Sequence, residues 1–414
     1  MLERFFKDGA AAERLRESVL GPQLDTFVAV VSDLGYSPST IQTQLQLLAN
    51  FVRWIQENEV VISSIDENIT DRFLTESRRK GALQRGDKHT LRRFLDHLRT
   101  EGNLPAPAPT CDNSHLTSLK CRYEDYLQKE RGLSAKTASR YWPILQRFLL
   151  ERFGDGPVRL CELEPQDIAN FLLRHAHDRT PKVAQLMVTA LRSFLRFLFR
   201  YEETKRDLSA VVPTVPSWRL AEVPKHLKPD ELESLLEACD RTTSVGRRDY
   251  AVLLLLARLG LRAGEVVTLE LNDIDWRAAE LTVRGKGLFH DRLPLPQDVG
   301  EALASYLLND RPTCSTRRLF LRMRAPCQGF KDSTAVSTIV RRAVERSGLN
   351  PPSKGAHLLR HSLATGMLRK GASMTEIGEL LRHRSSSSTE IYAKVDIEGL
   401  RSVARHWPEK GGVS

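Results

Sequence analysis

The chain has 414 residues, too many for one ordinary hydrophobic core, so its length predicts two or three domains. Its 62 lysines and arginines exceed its 52 aspartates and glutamates, and the resulting net charge of +10 favours a polyanionic partner such as nucleic acid. No apolar run approaches the ~20 residues of a membrane span. The N-terminal segment carries acidic residues and lacks the apolar stretch of a signal peptide, so we expect a cytoplasmic protein.

The sequence also lacks the common signatures of bound cofactors. No two of the six cysteines have the C-x-x-C spacing of a zinc site. No glycine-rich loop of the form GxxxxGK[ST] is present to hold a nucleoside triphosphate. We therefore expect no metal ion, no ATP and no other cofactor.

An N-terminal helical domain is predicted over residues 1–110. Gly35 closes one apolar helix, and Ser37 begins the next as a cap, followed by a proline and by apolar residues at helical spacing. Two more helices follow before a proline-rich linker, LPAPAPT, at 104–110.

A second helical domain, residues 114–213, repeats this plan. The Gly35-Tyr36-Ser37 turn matches Gly132-Leu133-Ser134 at an offset of 97 residues. Core positions match at an offset of 100, namely Leu91, Phe94 and Leu95 with Leu191, Phe194 and Leu195. Several matches in register across one unit predict an internal duplication of a four-helix unit. A second linker, VVPTVPSW, follows at 211–218.

Basic residues lie among the aromatic residues of this second domain. A helix laid against a duplex would use such residues on phosphates and base edges. The alternative is a solvated basic face, and the sequence does not decide between the two. The candidate DNA contacts are Lys136, Arg140, Arg147, Arg192 and Arg196.

A third domain is predicted over residues 220–414, and it completes a fold of the mainly α class: tandem helical domains, then a mostly helical domain with a small antiparallel β-sheet. Segments 281–284 and 291–295 alternate as the strands of a hairpin. We also predict a short strand at 319–321, and an arginine-rich helix at 333–348 that suits a major groove. Further candidate DNA contacts are His290, Arg292, Arg341 and Arg342.

One polar motif in this third domain follows an apolar helix. Arg262, in Gly-Leu-Arg-Ala-Gly-Glu, stands where an unpaired arginine should not be buried. A salt bridge with Glu265 or with Asp273 is the structural explanation. A catalytic role for the arginine is the functional one.

A second polar motif begins with His357, Arg360 and His361, of which the first two share a helix face because they are three residues apart. His383 ends the next apolar helix, and Tyr392 follows nine residues later. A tyrosine nucleophile, an arginine for phosphate oxygens and histidines that move protons are what phosphoryl transfer to a protein hydroxyl requires.

At these residues the chain resembles the tyrosine recombinases, also called the phage integrase family. The second box of that family reads His-x-x-Arg, then a helix pair, then Gly-His or a similar pair, then Tyr nine residues on. His357, Arg360, His383 and Tyr392 match these positions. One departure is visible, because Arg382 stands where the family often has glycine.

The resemblance extends to the first motif and to the hairpin. Arg262 matches the catalytic arginine of the family's G-L-R-x-x-E box, and Glu265 then resembles a positioning partner. Lys286, in the hairpin's Gly-Lys-Gly, matches the lysine that protonates the leaving oxygen.

The resemblance implies DNA strand exchange through a 3′-phosphotyrosyl bond to Tyr392, with no cofactor. Arg262 and Arg360 would brace the nonbridging oxygens of the phosphate. His357 would assist removal of the tyrosine proton, and His383 would hydrogen-bond the phosphate. All of these side chains should gather around one scissile phosphodiester, with the tyrosine hydroxyl outside any sealed core.

The helical domains also resemble parts of that family. Each has the G-x-S-x-x-T segment and amphipathic helix of a core-binding domain. The second copy is expected to be the true core-binding domain, and the first to bind flanking DNA or a neighbouring subunit. The resemblance further implies a homotetramer acting on two double-stranded DNA sites. The terminal segment 397–407 would dock on the next subunit or on its own domain.

Several biological roles stay open at this point. We favour an integrase or transposase of a mobile element, acting alone or with other recombinases of that element. A Xer-type dimer resolvase is the alternative within the family, although such proteins are typically shorter. A type IB topoisomerase and a non-enzymatic DNA-binding regulator are less favoured.

Overall fold

The computed structural model describes residues 4–5, 13, 15–81, 83–105, 115–154, 156–176, 179–216, 223–285, 290–385 and 388–395. The chain divides into two compact units: one comprises residues 105–221, and the other combines residues 1–104 with residues 222–414. None of the described helices is both long and apolar enough to cross a membrane.

Four helices form the N-terminal segment: α1 Gly21–Asp33, α2 Pro38–Glu57, α3 Glu67–Arg79 and α4 Asp87–Thr100. Ser37 begins α2 as predicted, because its hydroxyl accepts a hydrogen bond from the Thr40 backbone N–H at 3.3 Å. Phe27, Phe51 and Phe94 are fully buried where the helices meet. The apolar faces of all four helices therefore share one core.

The unit of residues 105–221 has the same order of elements: α5 His115–Asp125, continued by a π-helical turn Tyr126–Glu130, then α6 Ala135–Phe153, α7 Pro165–Ala176 and α8 Pro181–Arg200. Its second helix also begins at a serine, since the Ser134 hydroxyl accepts from the Thr137 N–H at 3.3 Å. The glycines two residues before these caps, Gly35 and Gly132, both have positive φ. The matching sequence positions thus occupy matching structural positions.

The remaining helices are α9 Pro229–Glu237, α10 Ser244–Arg258, α11 Ala263–Thr268, α12 Gln297–Asn309, α13 Ser333–Arg346, α14 His357–Arg369 and α15 Met374–Leu380, followed by a 3₁₀ turn Glu390–Val395. Three strands, β1 Ile274–Asp275, β2 Glu280–Arg284 and β3 His290–Pro294, form an antiparallel sheet in the order β1-β2-β3. These helices and strands share one hydrophobic core, and helix α10, buried along its apolar stretch, lies within it. The mainly α class with a small antiparallel sheet is confirmed.

The predicted hairpin is present, with its strands one residue earlier than expected. Leu281 pairs with Leu293 across β2 and β3, and both side chains are buried. The tip, residues 286–289, lies outside the described part of the chain, so Lys286 is not placed.

The predicted strand at 319–321 was wrong, because these residues make only an isolated bridge between Leu321 and Gly329. Its backbone bonds to separate groups elsewhere in the chain, beginning with the Leu319 N–H, which donates to the Leu269 carbonyl at 2.9 Å. The Arg311 guanidinium donates to the Leu319 carbonyl at 3.3 Å, and the Tyr306 hydroxyl accepts from the Leu321 N–H at 3.2 Å. The apolar run is buried as a strand would be, but without a ladder.

The N-terminal helices contact the C-terminal segment within their shared unit. The Cys327 N–H donates to the Leu34 carbonyl at 2.8 Å, and the Ser315 hydroxyl donates to Asp33 at 3.0 Å. A Cβ at Gly35 would lie 2.7 Å from the Cys327 sulfur, and Gly35 has φ +75°. Glycine is therefore required there both by the turn and by the approach.

Candidate active site

Gly260 brings the two polar motifs together. It ends helix α10 with φ +58°, and a Cβ at this position would lie 2.7 Å from Leu381 Cδ2 and 3.0 Å from Leu363 Cδ2. Only glycine fits both the backbone conformation and the approach. The segment that carries Arg262 consequently packs directly against helices α14 and α15.

Arg262 lies at the start of α11 and is paired through both its backbone and its side chain. Glu265 accepts from the Arg262 N–H at 2.8 Å and from its Nη1 at 2.7 Å. The other alternative, Asp273, pairs with Arg284 at 2.8 Å. The Arg262 side chain remains 41% exposed, so its guanidinium can still meet a ligand from solvent.

Arg360 is the buried counterpart of Arg262. It is 3% exposed, and its two terminal nitrogens donate to the carbonyl oxygens of Gly260 and Leu381. Burial, followed by the charges of Arg262 and Arg382, lowers the pKa of Arg360 to about 10, so the side chain is still a cation at neutral pH. Within the described part of the chain, both terminal nitrogens of this buried cation bond to neutral carbonyls, so it is poised to receive an anion.

Tyr392 lies on the last 3₁₀ turn and is covered. Its side chain is 1% exposed and packs against Ala364, Ile377 and Leu381. The expectation that the hydroxyl would lie outside the core is not met in this conformation, because the residue is covered and its hydroxyl lies 2.8 Å from Nδ1 of the half-buried His361. Burial raises the pKa of Tyr392 to about 12, so the phenol keeps its proton in this conformation.

The rings of His361 and His383 lie beside the tyrosine, and that of His357 lies beside His361. The protein lowers the pKa of all three imidazoles. Burial, then the charges of His357 and Arg360, lowers the pKa of His361 to about 4. Burial, then Arg360 and Arg262, lowers the pKa of His383 to about 4. Partial desolvation and the same two arginines also lower the pKa of His357, whose ring reaches solvent. The histidines are therefore neutral at pH 7, and the positive charge comes from the arginines.

Five of the six predicted catalytic residues lie in this cluster: Arg262, His357, Arg360, His383 and Tyr392. His383 and Tyr392 have parallel rings, with centroids 6.5 Å apart. Nδ1 of His383 lies 2.8 Å from the Thr389 hydroxyl, which ties the last turn to the end of α15. The described residues contain no group of three or more His, Cys, Asp or Glu side chains that could hold a metal ion.

Two residues of the cluster had no assigned role in the sequence. His361 was visible as part of the polar start of its helix, but only the fold shows that it meets the tyrosine hydroxyl. Arg382 was visible as a departure from the family's glycine. In the structure its Nη2 donates to Glu265 at 2.8 Å.

The candidate DNA contacts differ in their exposure to solvent and in whether protein groups already bind them. Lys136, Arg140 and Arg147 lie on one exposed face of α6. Arg192 is half-buried instead and donates to the carbonyls of Val212 at 2.8 Å and Pro213 at 3.3 Å, so its guanidinium anchors the linker. The remaining candidates are exposed: Arg196 on α8, His290 and Arg292 on β3, and Arg341 and Arg342 on α13.

Comparison with known proteins agrees with this geometry. The model of the Phage integrase family matches residues 225–398, and that of the phage integrase N-terminal SAM-like domain matches residues 121–202. The putative integrase/recombinase y4rA of Sinorhizobium fredii is 39% identical over 98% of this chain and 99% of its own length. Tyrosine recombinase XerD of Mycobacterium tuberculosis is 34% identical over 68% of this chain and 94% of its own.

Solved structures share the fold. XerH site-specific recombinase, bound to palindromic difH substrate in a post-cleavage complex, matches with a TM-score of 0.55 and 21% identity over 70% of this chain and 85% of that one. A lambda integrase(75–356) dimer bound to a COC′ core site matches with a TM-score of 0.51 and 20% identity over 71% of this chain and 98% of that one. The chain belongs to the phage integrase family of tyrosine recombinases and is a site-specific DNA recombinase.

Proposed function

We propose that this recombinase cuts a DNA strand by attack of the Tyr392 hydroxyl on a backbone phosphate. The attack forms a 3′-phosphotyrosyl bond and releases a 5′-hydroxyl. The observation that carries the proposal is the charge around the tyrosine: among the described residues, Arg262, Arg360 and Arg382 meet one carboxylate, that of Glu265, while the histidines are neutral. The site thus has positive charge in excess, which a phosphodiester would neutralise.

The arginines would hold the phosphate during the reaction. A guanidinium presents two donors in one plane, which fits two phosphate oxygens. Arg262 can turn its exposed edge to one nonbridging oxygen, and Arg360 lies behind it with its position fixed by two carbonyls. Such fixed donors stabilise the negative charge that builds up in the transition state.

Proton transfer requires two groups. The phenol must lose its proton, and in this structure the base within hydrogen-bond distance of it is His361. The ring of His357 lies 6.1 Å from that of His361 and reaches solvent, so we keep His357 as the group that assists once DNA is bound and add His361 as its neighbour. Lys286 is proposed to protonate the leaving 5′-hydroxyl, and His383 to hydrogen-bond the phosphate.

The covalent bond explains why no ATP is needed. The phosphotyrosyl ester conserves the energy of the broken strand, so attack by the 5′-hydroxyl of another duplex reverses the step and joins new partners. No metal ion or other cofactor enters this scheme.

The three predicted domains, 1–110, 114–213 and 220–414, would share the DNA. The exposed face of Lys136, Arg140 and Arg147 is suited to phosphates in the second domain. The first domain has its own exposed cations, Arg78, Arg79, Lys80, Arg85 and Arg92, on and between α3 and α4. We propose that this first domain binds DNA flanking the core site.

The biological role we propose is movement of a mobile element, by integration, excision or transposition in the cytoplasm. The y4rA relative, which aligns over 98% of this chain, is itself named a putative integrase/recombinase. The XerD relative aligns over 299 residues only, so a dimer-resolvase role remains the alternative. A homotetramer on two DNA sites, alone or with other recombinases of the element, would complete the reaction.

A nicked suicide substrate tests the chemistry. The protein would first select its site from random-sequence duplexes, and the selected duplex would then be nicked beside the cleavage point so that the short product escapes. We expect a protein–DNA adduct that survives SDS with wild type and is absent with Tyr392→Phe. A regulator would form no adduct, and a type IB topoisomerase would also relax plasmids that lack the selected site.

A further inference from the structure

Helix α15 ends in a turn that normally needs glycine. The His383 N–H donates to the Gly378 carbonyl at 2.8 Å and the Arg382 N–H to the Glu379 carbonyl at 2.9 Å, which together define a Schellman motif. Arg382 occupies its left-handed position, with φ +55°. Glycine enters this region without strain, whereas any side chain is disfavoured there. The backbone geometry of this turn therefore does not explain why position 382 is an arginine.

The Arg382 side chain reaches across to the first motif. It is 7% exposed, its Nη2 donates to Glu265 Oε2 at 2.8 Å, and its own carbonyl accepts from Arg262 Nη2 at 3.3 Å. Its Nε is buried with no hydrogen-bond partner among the described residues. An incompletely paired buried cation is a weak device for stability, so a role in the site is the better explanation.

Glu265 connects Arg382 to Arg262. Its Oε1 accepts from Arg262 Nη1 at 2.7 Å, while Oε2 is shared between the Arg262 N–H and Arg382. Burial alone would raise the pKa of the Glu265 carboxyl, but Arg382 and then Arg262 outweigh it and hold that pKa below its usual value. One carboxylate is thus divided between two guanidinium groups.

We infer that Arg382 is a positioning residue for Arg262. By occupying Oε2 of Glu265 and offering its carbonyl to Nη2, it fixes the plane of the Arg262 guanidinium and prevents Glu265 from closing on it with both oxygens. Arg262 keeps an exposed edge and uncompensated charge for the scissile phosphate. The inference rests on the proposed function, in which Arg262 binds that phosphate.

Arg382→Gly separates the turn from the side chain. Glycine suits the Schellman motif better than arginine, so a residue that serves only the turn would be improved or unchanged by this substitution. Under the inference, Glu265 closes on Arg262 and the rate of strand cleavage falls about 10- to 100-fold, as for other displaced catalytic groups. Arg382→Lys, which keeps one charged donor for Glu265, should recover part of the rate.

The experiment is single-turnover cleavage of the nicked suicide substrate at saturating protein, together with DNA affinity measured by gel shift. Wild type, Arg382→Gly, Arg382→Lys and the control Lys370→Gly, which replaces an exposed residue at the end of α14, would be compared. We expect unchanged affinity for all four and slow cleavage for the glycine variant, with lysine between it and wild type. Equal cleavage by wild type and Arg382→Gly would overturn the inference.

A second substrate links the defect to charge on the phosphate. A methylphosphonate at the scissile position has one nonbridging oxygen fewer and carries no charge. Its cleavage therefore depends less on charge stabilisation by Arg262. The deficit of Arg382→Gly relative to wild type should shrink on this substrate, and a deficit of the same size on both substrates would contradict the inference. If wild type itself forms no adduct on the phosphodiester, the proposed function has failed rather than the role of Arg382.

Discussion

The two halves of the active site are built differently. The arginine frame, Arg262, Arg360 and Arg382 with Glu265, is held by hydrogen bonds that join the end of α10, the start of α11 and the turn after α15. The tyrosine lies on a six-residue 3₁₀ turn, whose hydrogen-bond geometry is poorer than that of an α-helix.

The two halves differ in whether they could bind or react with a phosphate in the conformation seen here. The frame already has the charge and the orientation that a phosphate requires, whereas the Tyr392 hydroxyl is bonded to His361 and has its pKa raised. Preorganised charge costs no rearrangement at the moment of reaction. Under the proposed mechanism, the cover over Tyr392 would prevent cleavage at the wrong place until DNA displaces the turn.

The largest expected effect comes from two of the three arginines of the frame, Arg262 and Arg360. We expect Arg262→Ala and Arg360→Ala each to lower the rate of cleavage by about 10²- to 10³-fold, as loss of a charge-stabilising donor does. Only Arg360→Ala should also lower stability strongly, by roughly 2–5 kcal/mol, because it leaves two buried carbonyls without donors. Suicide-substrate kinetics and urea unfolding measure the two effects, and an equal loss of stability would contradict the contrast between the half-exposed and the buried arginine.

Gly260→Ala tests the contact that joins the two motifs. The new Cβ would lie 2.7 Å from Leu381 Cδ2 at a positive φ, so we expect a loss of roughly 2–5 kcal/mol in the free energy of unfolding. Gly366→Ala is the matched control in α14, since no side-chain or remote atom lies within 4 Å of its Cβ position. The control should be neutral or stabilising by about 0.5–1 kcal/mol. If both substitutions have the same effect, the close approach at Gly260 is not important.

The desolvated histidines beside Tyr392 make stability depend on pH. The pKa values of His361 and His383 are lowered to about 4, so the unfolded chain takes up these protons at higher pH than the folded one. Stability is therefore complete above about pH 6.5 and is lost as the pH falls towards 4.

Thermal melts measure this dependence directly. His361→Gln removes the titrating group and keeps a polar partner for the phenol, so its Tm should fall less than that of wild type between about pH 7 and about pH 4.5. The same fall in both proteins would show that protonation of His361 does not contribute.

The smallest expected effect concerns the DNA face outside the frame. Each of Lys136→Gln, Arg140→Gln and Arg147→Gln should reduce the slope of log affinity against log salt by about 0.9, because one phosphate contact is lost. Cleavage at saturating protein should not change. Arg192→Gln is the comparison, since its guanidinium binds linker carbonyls, and it should leave the slope unaltered.

Much of this molecule follows from local sequence. The helix starts at Ser37 and Ser134 follow from the capping preference of serine. The β2–β3 hairpin follows from two segments of alternating apolar and polar residues that flank a glycine-containing turn. The strand expected at 319–321 shows the limit, because that backbone bonds to the Leu269 carbonyl and to the side chains of Arg311 and Tyr306, all remote in the sequence. Such partners are set by tertiary packing and leave no local signal.

The site shows the same division. The match of His357, Arg360, His383 and Tyr392 to the family's second box predicted that they lie together. The cover over Tyr392 and its bond to His361 could not be predicted, because they depend on how the last turn packs. The role of Arg382 could not be inferred from the residue type alone, because it depends on the geometry of the turn that carries it.

Mapping the covalent adduct tests the central claim most directly. Protein trapped on a nicked suicide substrate would be digested with protease and nuclease, and the modified peptide sequenced by tandem mass spectrometry. The account predicts a nucleotide attached through its 3′-phosphate to Tyr392 and to no other residue. A nucleotide on a different side chain, or one linked through a 5′-phosphate, would contradict it.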